Sequence, residues 1–444
     1  MMKTIRIGVG AGYAGDRIDP AAELAERGSI GYLVFECLAE RTIALAQRAR
    51  LLDPEAGYDP LLEERMDAVL PLCAEKKIRI VSNMGAAHPM AAARKTREIA
   101  QRLGIHGMRI AAVTGDDVLT YIRREWSVDS QEALAGLPAG KLVSANVYMG
   151  AEAVVSALEG GADVVLTGRV ADSSLFLAIL VHEFGWSMED WNLLGQGTVI
   201  GHLLECAGQI TGGYFADPPY SMVPGLAHLG FPLAEVTEDG VAVISKVDGS
   251  GGQITKAICT EQLLYEIQDP TAYFTPDVVA DFSQVALDDA GADRIRVSGG
   301  RGRARPDSLK VSAGYHDGYV GEGQISYAGP GALTRAELAR DVVAERLRQY
   351  RFSDLRMEFI GVNAIHSSSF ADPASRPNEV RLRIVGRADS MKMASRIPRE
   401  VEALYTNGPA AGGGVVQSVK ETIGILPMLM PRTAVAPRVD YEVS

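Results

Sequence analysis

The chain has 444 residues and a formal net charge of −12, with 47% hydrophobic and 23% charged residues. This length predicts two or three domains of ordinary globular composition. The acidic balance argues against a nucleic-acid-binding protein, so an anionic ligand would need a local group of basic side chains or helix N-termini.

The first part of the chain predicts six strand–helix units before about residue 185. The predicted strands are apolar almost throughout, which is typical of strands that helices cover on both faces. They lie at Thr4–Val9, Gly31–Phe35, Ile78–Ser82, Met108–Val113, Lys141–Ala145 and Asp163–Leu166. Their alternation with helices predicts an α/β fold with a doubly wound, mostly parallel sheet over residues 1–196, a Rossmann-like domain. A closed barrel would need about eight such units.

The pattern changes from about Gly197. A short predicted helix, Val199–Ala207, leads into glycine- and proline-rich sequence with short β-like pieces. These features predict an α+β region over residues 197–307 that completes the crevice of the first domain. Over residues 308–444 the chain predicts strand, helix, strand, strand, helix and strand in this order. That order suits a ferredoxin-like β-α-β-β-α-β two-layer plait.

The first strand runs into the sequence GAGYAG at 10–15, which fits the GxGxxG pattern of dinucleotide-binding loops. Glu36 lies about 20 residues beyond the last glycine, where such a site places an acid on the ribose. However, Asp19 and Pro20 predict a helix that is capped by Asp19 and begins near residue 20. That start is too late for glycines that must open the helix themselves, so the sequence favours a loop that binds another ligand or only packs. NAD is disfavoured.

Other residues also follow the predicted strands, and open α/β sheets bind ligands at the carboxyl ends of their strands. Asn83 and Asn146 could line the same crevice as the glycine loop, although each is also a common turn former. The candidate substrate-binding residues at these strand ends are Gly12, Tyr13, Arg17, Asn83 and Asn146.

The sequence GRVADSS at 168–174 is the strongest candidate for a binding site. Arg169 closes the sixth predicted strand, and Asp172 is predicted to cap the helix that follows. A helix N-terminus beside an arginine can bind a phosphate or a carboxylate. The alternative is that Arg169 and Asp172 pair with each other and only brace the turn.

His202, Glu205 and Cys206 stand at positions i, i+3 and i+4, so a helix would place them on one face. They are the candidate catalytic residues. The carboxylate of Glu205 could orient the imidazole of His202 for proton transfer, and Cys206 could act as a nucleophile. No third ligand is identifiable, and a metal is therefore not predicted.

Lys246 and Ser250 belong to a second glycine loop, whose backbone could form an anion nest. The loop lacks the Gly-Lys-Ser/Thr order of a P-loop, which disfavours ATP hydrolysis. Basic side chains at Arg301, Arg303 and Arg305 could hold nucleotide phosphates, or they could be solvated loop charges.

The cysteines and the hydropathy of the chain indicate in which compartment the protein works. The four cysteines contain no CxxC pair, so neither a zinc ribbon nor a disulfide framework is expected. No apolar stretch is predicted to span a membrane, and no signal peptide is recognised. We therefore expect a cytoplasmic protein without metal or cofactor that binds neither membranes nor nucleic acids.

Several segments resemble the acyclic terpene utilisation (AtuA-type) family, and the resemblance covers nearly the whole chain. Two small departures, Ser173 and His88, replace residues that are common in relatives. The segments are GAGYAGDR at 10–17, YLVFECLAERTIALAQ at 32–47, SNMGAAHP at 82–89, GRVADSSLF at 168–176, HLLECAGQITGGYFADP at 202–218, EQLLYEIQDPTAYFTPDV at 261–278 and RPDSLKV at 305–311.

The resemblance implies a part in the bacterial breakdown of acyclic terpenes such as citronellol and geraniol. We expect an enzyme that acts on a small anionic substrate, a branched acyl-CoA or a related carboxylic acid, with a lyase, hydratase or isomerase preferred. A nicotinamide-dependent oxidoreductase and a non-catalytic acyl-CoA-binding subunit are the alternatives. We expect a homo-oligomer, which could also bind a small partner protein encoded nearby.

Overall fold

A computed structural model describes residues 2–129, 141–366 and 377–444. The chain divides into a large unit, Met1–Gly314 with Ile425–Ser444, and a small unit, Tyr315–Gly424. The predicted segments 1–196 and 197–307 both lie in the large unit, and the small unit lies within the predicted segment 308–444. The predicted boundaries near residues 196 and 307 stay predictions.

The strands are β1 (Thr4–Ala11), β2 (Tyr32–Phe35), β3 (Arg79–Ser82), β4 (Arg109–Thr114), β5 (Leu142–Val147), β6 (Val164–Thr167), β7 (Pro232–Thr237), β8 (Ala242–Lys246), β9 (Tyr273–Phe274), β10 (Val279–Asp281), β11 (Ala286–Asp289), β12 (Ile295–Ser298), β13 (Arg301–Arg303), β14 (Ser308–Ala328), β15 (Asp354–Ile360), β16 (Glu379–Ala388), β17 (Gly413–Pro431) and β18 (Arg438–Val443).

The helices are α1 (Asp19–Arg27), α2 (Glu40–Leu52), α3 (Leu62–Lys76), α4 (Pro89–Arg102), α5 (Leu119–Asp129), α6 (Glu152–Glu159), α7 (Asp172–Phe184), α8 (Trp191–Leu204), α9 (Lys256–Leu264), α10 (Ala332–Leu347), α11 (Met391–Ala394), α12 (Arg396–Glu402) and α13 (Leu404–Asn407). Among the described residues, no helix is both long and apolar enough to cross a membrane.

The large unit is built around a mixed sheet of ten strands in the order β11-β12-β8-β7-β1-β2-β3-β6-β4-β18. Strands β1, β2, β3, β6 and β4 are parallel, and the strands on either side of them pair antiparallel. Strands β2 and β6 are buried along their whole length, as expected for strands with both faces covered. The fold is therefore mixed α/β, and the described residues form no closed barrel.

One predicted strand has a different partner from its neighbours in sequence. Strand β5 forms where the sequence predicts it, but it pairs with β14 and stands outside the ten-stranded sheet. The backbone N–H of Tyr148, just after β5, donates to the carbonyl of Lys310 at 2.8 Å. The doubly wound arrangement stays a prediction, since the observed sheet also contains antiparallel strands on both sides.

Two helix starts differ by one residue from the sequence prediction. Helix α1 begins at Asp19 and its N-cap is Ile18, and helix α7 begins at Asp172 with Ala171 as its N-cap. Neither N-cap makes a side-chain capping bond, so the prediction that Asp19 and Asp172 cap these helices is wrong. Each carboxylate instead lies in the first turn, where the helix dipole favours negative charge. Helix α1 still begins after the glycine loop, as Pro20 predicts.

The small unit contains most of a sheet in the order β15-β16-β14-β17. Along the chain, α10 lies between β14 and β15, and α11–α13 lie between β16 and β17. Along β16 the apolar residues Val380, Leu382 and Ile384 are buried, and the arginines between them are half-buried. The buried residues form one core with α10 and α12. The sheet thus packs its apolar face against helices and leaves a polar face. The element order agrees with the predicted one, and the two-layer plait stays a prediction.

Candidate functional site

The main candidate site is a cavity of about 700 Å³ in the large unit. The ends of β2 and β5, the start of α7, strand β9 and the start of β14 contribute to its wall. The lining residues are Glu36, Leu38, Ala39, Glu40, Tyr148, Ala171, Asp172, Ser173, Glu266, Tyr273, Phe274, Thr275, Pro276, Pro306, Ser308, Leu309, Lys310 and Leu429.

Glu36 is a buried carboxyl in this wall, and it follows directly after β2. Its Oε1 atom accepts hydrogen bonds from the backbone N–H of Leu38 and from Nδ2 of Asn83, both at 2.9 Å. Burial raises the pKa of Glu36 well above its ordinary value, and the negative charge of Asp172 raises it further. Glu36 is therefore a carboxyl that holds its proton more tightly than an exposed glutamate does.

Asp172 and Arg169 form an ion pair at the start of α7. The guanidinium of Arg169 donates from Nη2 to Asp172 and lies over the ring of Tyr148, with 4.2 Å between its Cζ atom and the ring centre. Its Nε and Nη1 atoms are buried and have no partner among the described residues. Although Arg169 opposes the shift, burial raises the pKa of Asp172, and the charge of Glu205 adds to the rise.

Glu40 is a carboxyl of the cavity wall that is paired with two donors. The hydroxyl of Tyr148 donates to its Oε1 atom at 2.5 Å, and Nζ of Lys310 donates to the same atom at 3.0 Å. Burial acts in the other direction, but these hydrogen bonds lower the pKa of Glu40 to about 2. The cavity wall thus has four carboxyls, Glu36, Glu40, Asp172 and Glu266. Glu40 is a paired carboxylate, while Glu36 and Asp172 bind protons more tightly than usual.

Asn83 and Asn146 bind other protein groups. Asn83 donates to Glu36, and its Oδ1 accepts the backbone N–H of Cys37 at 2.7 Å. Asn146 donates from Nδ2 to Asp116 at 2.8 Å, and the same Asp116 oxygen accepts the backbone N–H of Arg169 at 2.9 Å. Neither asparagine lines the cavity. Asn83 holds the lining residue Glu36, and Asn146 holds Asp116, which accepts the backbone N–H of Arg169. Their contact with substrate stays a prediction.

The three candidate catalytic residues lie behind the cavity wall. His202 is in the last turn of α8, Glu205 is its C-cap, and Cys206 follows. Nδ1 of His202 is 3.1 Å from Oε1 of Glu205, and the imidazole lies 5.7 Å from the ring of Tyr273, which lines the cavity. The lining residues include none of the three.

Cys206 is poorly suited to nucleophilic attack. Burial raises the pKa of its thiol, and the negative charge of Glu205 raises it further. A reactive cysteine needs the opposite shift, because the thiolate is the nucleophile. Its backbone also packs against the first glycine loop: a Cβ atom on Gly12 would lie 2.7 Å from the Cα atom of Cys206.

The first glycine loop makes its contacts with its own chain. The N–H of Gly12 donates to Asp16 at 2.9 Å, and the buried Arg65 donates to the carbonyl of Ala14 at 2.9 Å. Arg17 donates to the carbonyl of Ala227 at 3.0 Å, and the side chain of Tyr13 is exposed. The loop therefore packs against protein atoms at the place where a dinucleotide fold would need an open backbone cradle.

The second glycine loop is also bonded internally. Nζ of Lys246 donates to the carbonyl of Ser250 at 2.8 Å and lies 3.3 Å from Asp293. The N–H groups of Gly251 and Gly252 donate to backbone carbonyls of the segment before β7. Lys246 and Ser250 do not line the cavity. Arg303 binds the carbonyl of Thr271, while Arg305 pairs with Glu152 at 2.5 Å.

Sequence reasoning missed several wall residues. Glu36 directly follows β2, as Asn83 follows β3, so the same strand-end argument could have identified it as a crevice residue. The dinucleotide pattern gives Glu36 only the role of an acid that binds a ribose. Three other lining residues come from distant segments of the chain: Tyr148, Tyr273 and Lys310. No local sequence pattern predicts that they line the same cavity. Among the described residues, no cluster of three or more histidine, cysteine, aspartate or glutamate side chains is arranged to hold a metal ion.

Comparisons with known proteins place the chain in a family. No curated protein and no solved structure gives a significant match. The sequence model of the family described as "Acyclic terpene utilisation family protein AtuA" matches residues 5–441, which confirms the resemblance found in the sequence. The chain belongs to the acyclic terpene utilisation (AtuA) family.

Proposed function

We propose that this protein is an enzyme of acyclic terpene utilisation that transfers protons on a branched carboxylic acid or its CoA thioester, as a lyase, hydratase or isomerase. Family membership supports the role in acyclic terpene utilisation. The observation that carries the proposal is the pair of carboxyls of raised pKa, Glu36 and Asp172, in one cavity wall beside the buried Arg169.

Two neighbouring carboxyls suit proton transfer because they do not ionise together easily. The negative charge of Asp172 raises the pKa of Glu36, so Glu36 can hold a proton while Asp172 is ionised. The ionised carboxyl can then take a proton from carbon next to a carbonyl, and the protonated one can give a proton to another atom of the substrate.

Arg169 is not among the lining residues, but it contacts Asp172 and Tyr148, which are, and it is the positive charge that we propose holds the substrate's oxygen atoms. Its side chain is 1% exposed, and its Nε and Nη1 atoms have no partner among the described residues. A buried guanidinium with free N–H groups binds a carboxylate or a developing oxyanion strongly. The ring of Tyr148 beneath it fixes its plane.

Two alternatives are a nicotinamide-dependent oxidoreductase and a non-catalytic acyl-CoA-binding subunit. For a nicotinamide-dependent oxidoreductase, the packing of Gly12 against Cys206 gives no support. A non-catalytic acyl-CoA-binding subunit would use the same cavity without chemistry, so only a measurement of turnover separates it from an enzyme.

The test combines ligand binding with mass spectrometry in heavy water. Branched acyclic acids and their CoA thioesters should raise the melting temperature, since a ligand of the folded state stabilises it. The bound compound should gain deuterium or water, and Glu36→Gln and Asp172→Asn should slow this by about 10²-fold to 10⁴-fold. Glu55→Gln is the matched control, because Glu55 is exposed and pairs with Arg94 away from the cavity.

Binding without any change in mass over hours would assign the non-catalytic subunit instead. If neither the acids nor the thioesters bind, the proposal is wrong.

A further inference from the structure

The cavity carboxyls belong to a larger group of charges that continues behind the wall. Glu36 and Asp172 act on each other electrostatically, Arg169 acts on both, and Glu205 acts on Asp172. His202 is paired with Glu205.

His202 and Glu205 are buried, and neither of them lines the cavity. The side chain of His202 is 1% exposed, and its ring lies 5.7 Å from Tyr273 and 5.4 Å from Phe282. The Nε2 atom of His202 and the Oε2 atom of Glu205 are buried and have no partner among the described residues.

The end of α8 is fixed against the start of α7. A Cβ atom on Gly201 would lie 2.7 Å from the carbonyl oxygen of Ser173, so the two helices meet where no side chain fits. Ser173 follows Asp172 in the chain. Glu205, one turn beyond Gly201, is thereby held at the helix start that carries Asp172.

We propose that His202 and Glu205 are a positioning pair: they act through Asp172 and determine which carboxyl of the cavity holds the shared proton, without touching the substrate. This inference rests on the proposed function and gives the predicted catalytic residues a different role. Tyr273 lines the cavity and packs against the imidazole of His202, neither His202 nor Glu205 lines the cavity, and the negative charge of Glu205 acts on Asp172.

The positioning role predicts the direction in which the pKa of Asp172 changes when the charge of Glu205 or of His202 is removed. Negative charge at Glu205 disfavours the ionised form of Asp172, so its removal should lower the pKa of Asp172. Burial opposes a charged imidazole, but the hydrogen bond and charge of Glu205 raise the pKa of His202 overall. Removal of that positive charge should therefore raise the pKa of Asp172. The titratable and charged groups around Asp172 are Arg169, Glu36, Glu40 with Lys310, Glu205 with His202, Tyr148 and Tyr273.

The test is an infrared pH titration of the full-length protein, which needs no substrate. Asp172→Asn and Glu36→Gln assign the carboxyl bands of the cavity pair. Glu205→Gln should move the Asp172 midpoint down by about one pH unit, and His202→Gln should move it up by a similar amount. Glu205→Asp retains the charge and should leave the midpoint near that of the unchanged protein.

Equal folding of the variants is checked by thermal unfolding, and Glu205→Asp gives a second reading if Glu205→Gln does not fold. Shifts of the same sign, or no shift in a folded variant, overturn the positioning role. The titration does not depend on turnover. Catalysis without these shifts would leave the proposed function intact, and shifts without catalysis would leave the positioning pair intact.

Discussion

Asn83 holds Glu36 in the cavity wall by a hydrogen bond of 2.9 Å from Nδ2 to Oε1. The same side chain accepts the backbone N–H of Cys37 at 2.7 Å, so both ends of its amide are used. Asn83 is fully buried. One side chain thus fixes the carboxyl of Glu36 and the backbone immediately after it.

Replacement of Asn83 by leucine should destabilise the protein by about 1–3 kcal/mol, because the N–H of Cys37 would remain buried without a partner. The free energy of unfolding from chemical denaturation measures this cost. Asn407→Ala, at an exposed position, should change it by about 0.5 kcal/mol or less. Equal costs at the two positions would show that the bonds of Asn83 contribute little.

Asp116 should make stability depend on pH in the acidic range. Burial raises its pKa from the ordinary 3.8 to about 6, so the folded state binds the proton more tightly than the unfolded state. Its contribution is therefore fully present below pH 3.8 and is lost as the pH rises through about 6. A shift of this size corresponds to about 3 kcal/mol, an order-of-magnitude value.

The measurement is the free energy of unfolding as a function of pH, for the natural protein and for Asp116→Asn. The asparagine keeps a carbonyl oxygen that can accept the N–H of Arg169 but does not titrate, so the decrease of stability across this range should become shallower. Asp248→Asn, at an exposed position, is the control and should leave the slope unchanged. An unchanged slope in Asp116→Asn would contradict the raised pKa.

The parallel strands and the spacing of His202 and Glu205 could be predicted because they depend on local sequence. Apolar runs identify strands whatever their neighbours, and side chains three residues apart meet near a helix end, as the 3.1 Å contact shows. The partner of β5 could not be predicted, since β14 lies far along the chain and no local pattern encodes the pairing.

The same distinction applies within the cavity. Its polar wall brings Tyr148 and Lys310 together with Glu40, and these residues come from three distant parts of the chain. The predicted helix caps, Asp19 and Asp172, were wrong for another reason. An aspartate before a helix suits both the N-cap and the first turn, and at Asp172 the bond to Arg169 accompanies the second choice.

Replacement of Gly12 by alanine should disturb the contact between the glycine loop and the segment after α8. The added Cβ atom would lie 2.7 Å from both the Cα and the carbonyl oxygen of Cys206, which belong to backbone that cannot rotate away. We expect a loss of about 1–3 kcal/mol in the free energy of unfolding. Gly31→Ala is a matched control, since a Cβ atom there would meet only the carbonyl of Arg6, at 3.9 Å. Similar values for both variants would disprove the close contact.

Arg65 and Asp59 form a fully buried ion pair of 3.0 Å that supports the glycine loop through the carbonyl of Ala14. Arg65→Met should cost about 3–5 kcal/mol in the free energy of unfolding, because it leaves the buried carboxylate of Asp59 unpaired. The double variant Arg65→Met/Asp59→Leu should recover part of this loss, since no charge then remains buried. Arg102→Met breaks a solvent-exposed pair and should cost about 1 kcal/mol or less. If the double variant is as unstable as the single one, the cost comes from lost packing and loop contacts and not from an unpaired charge.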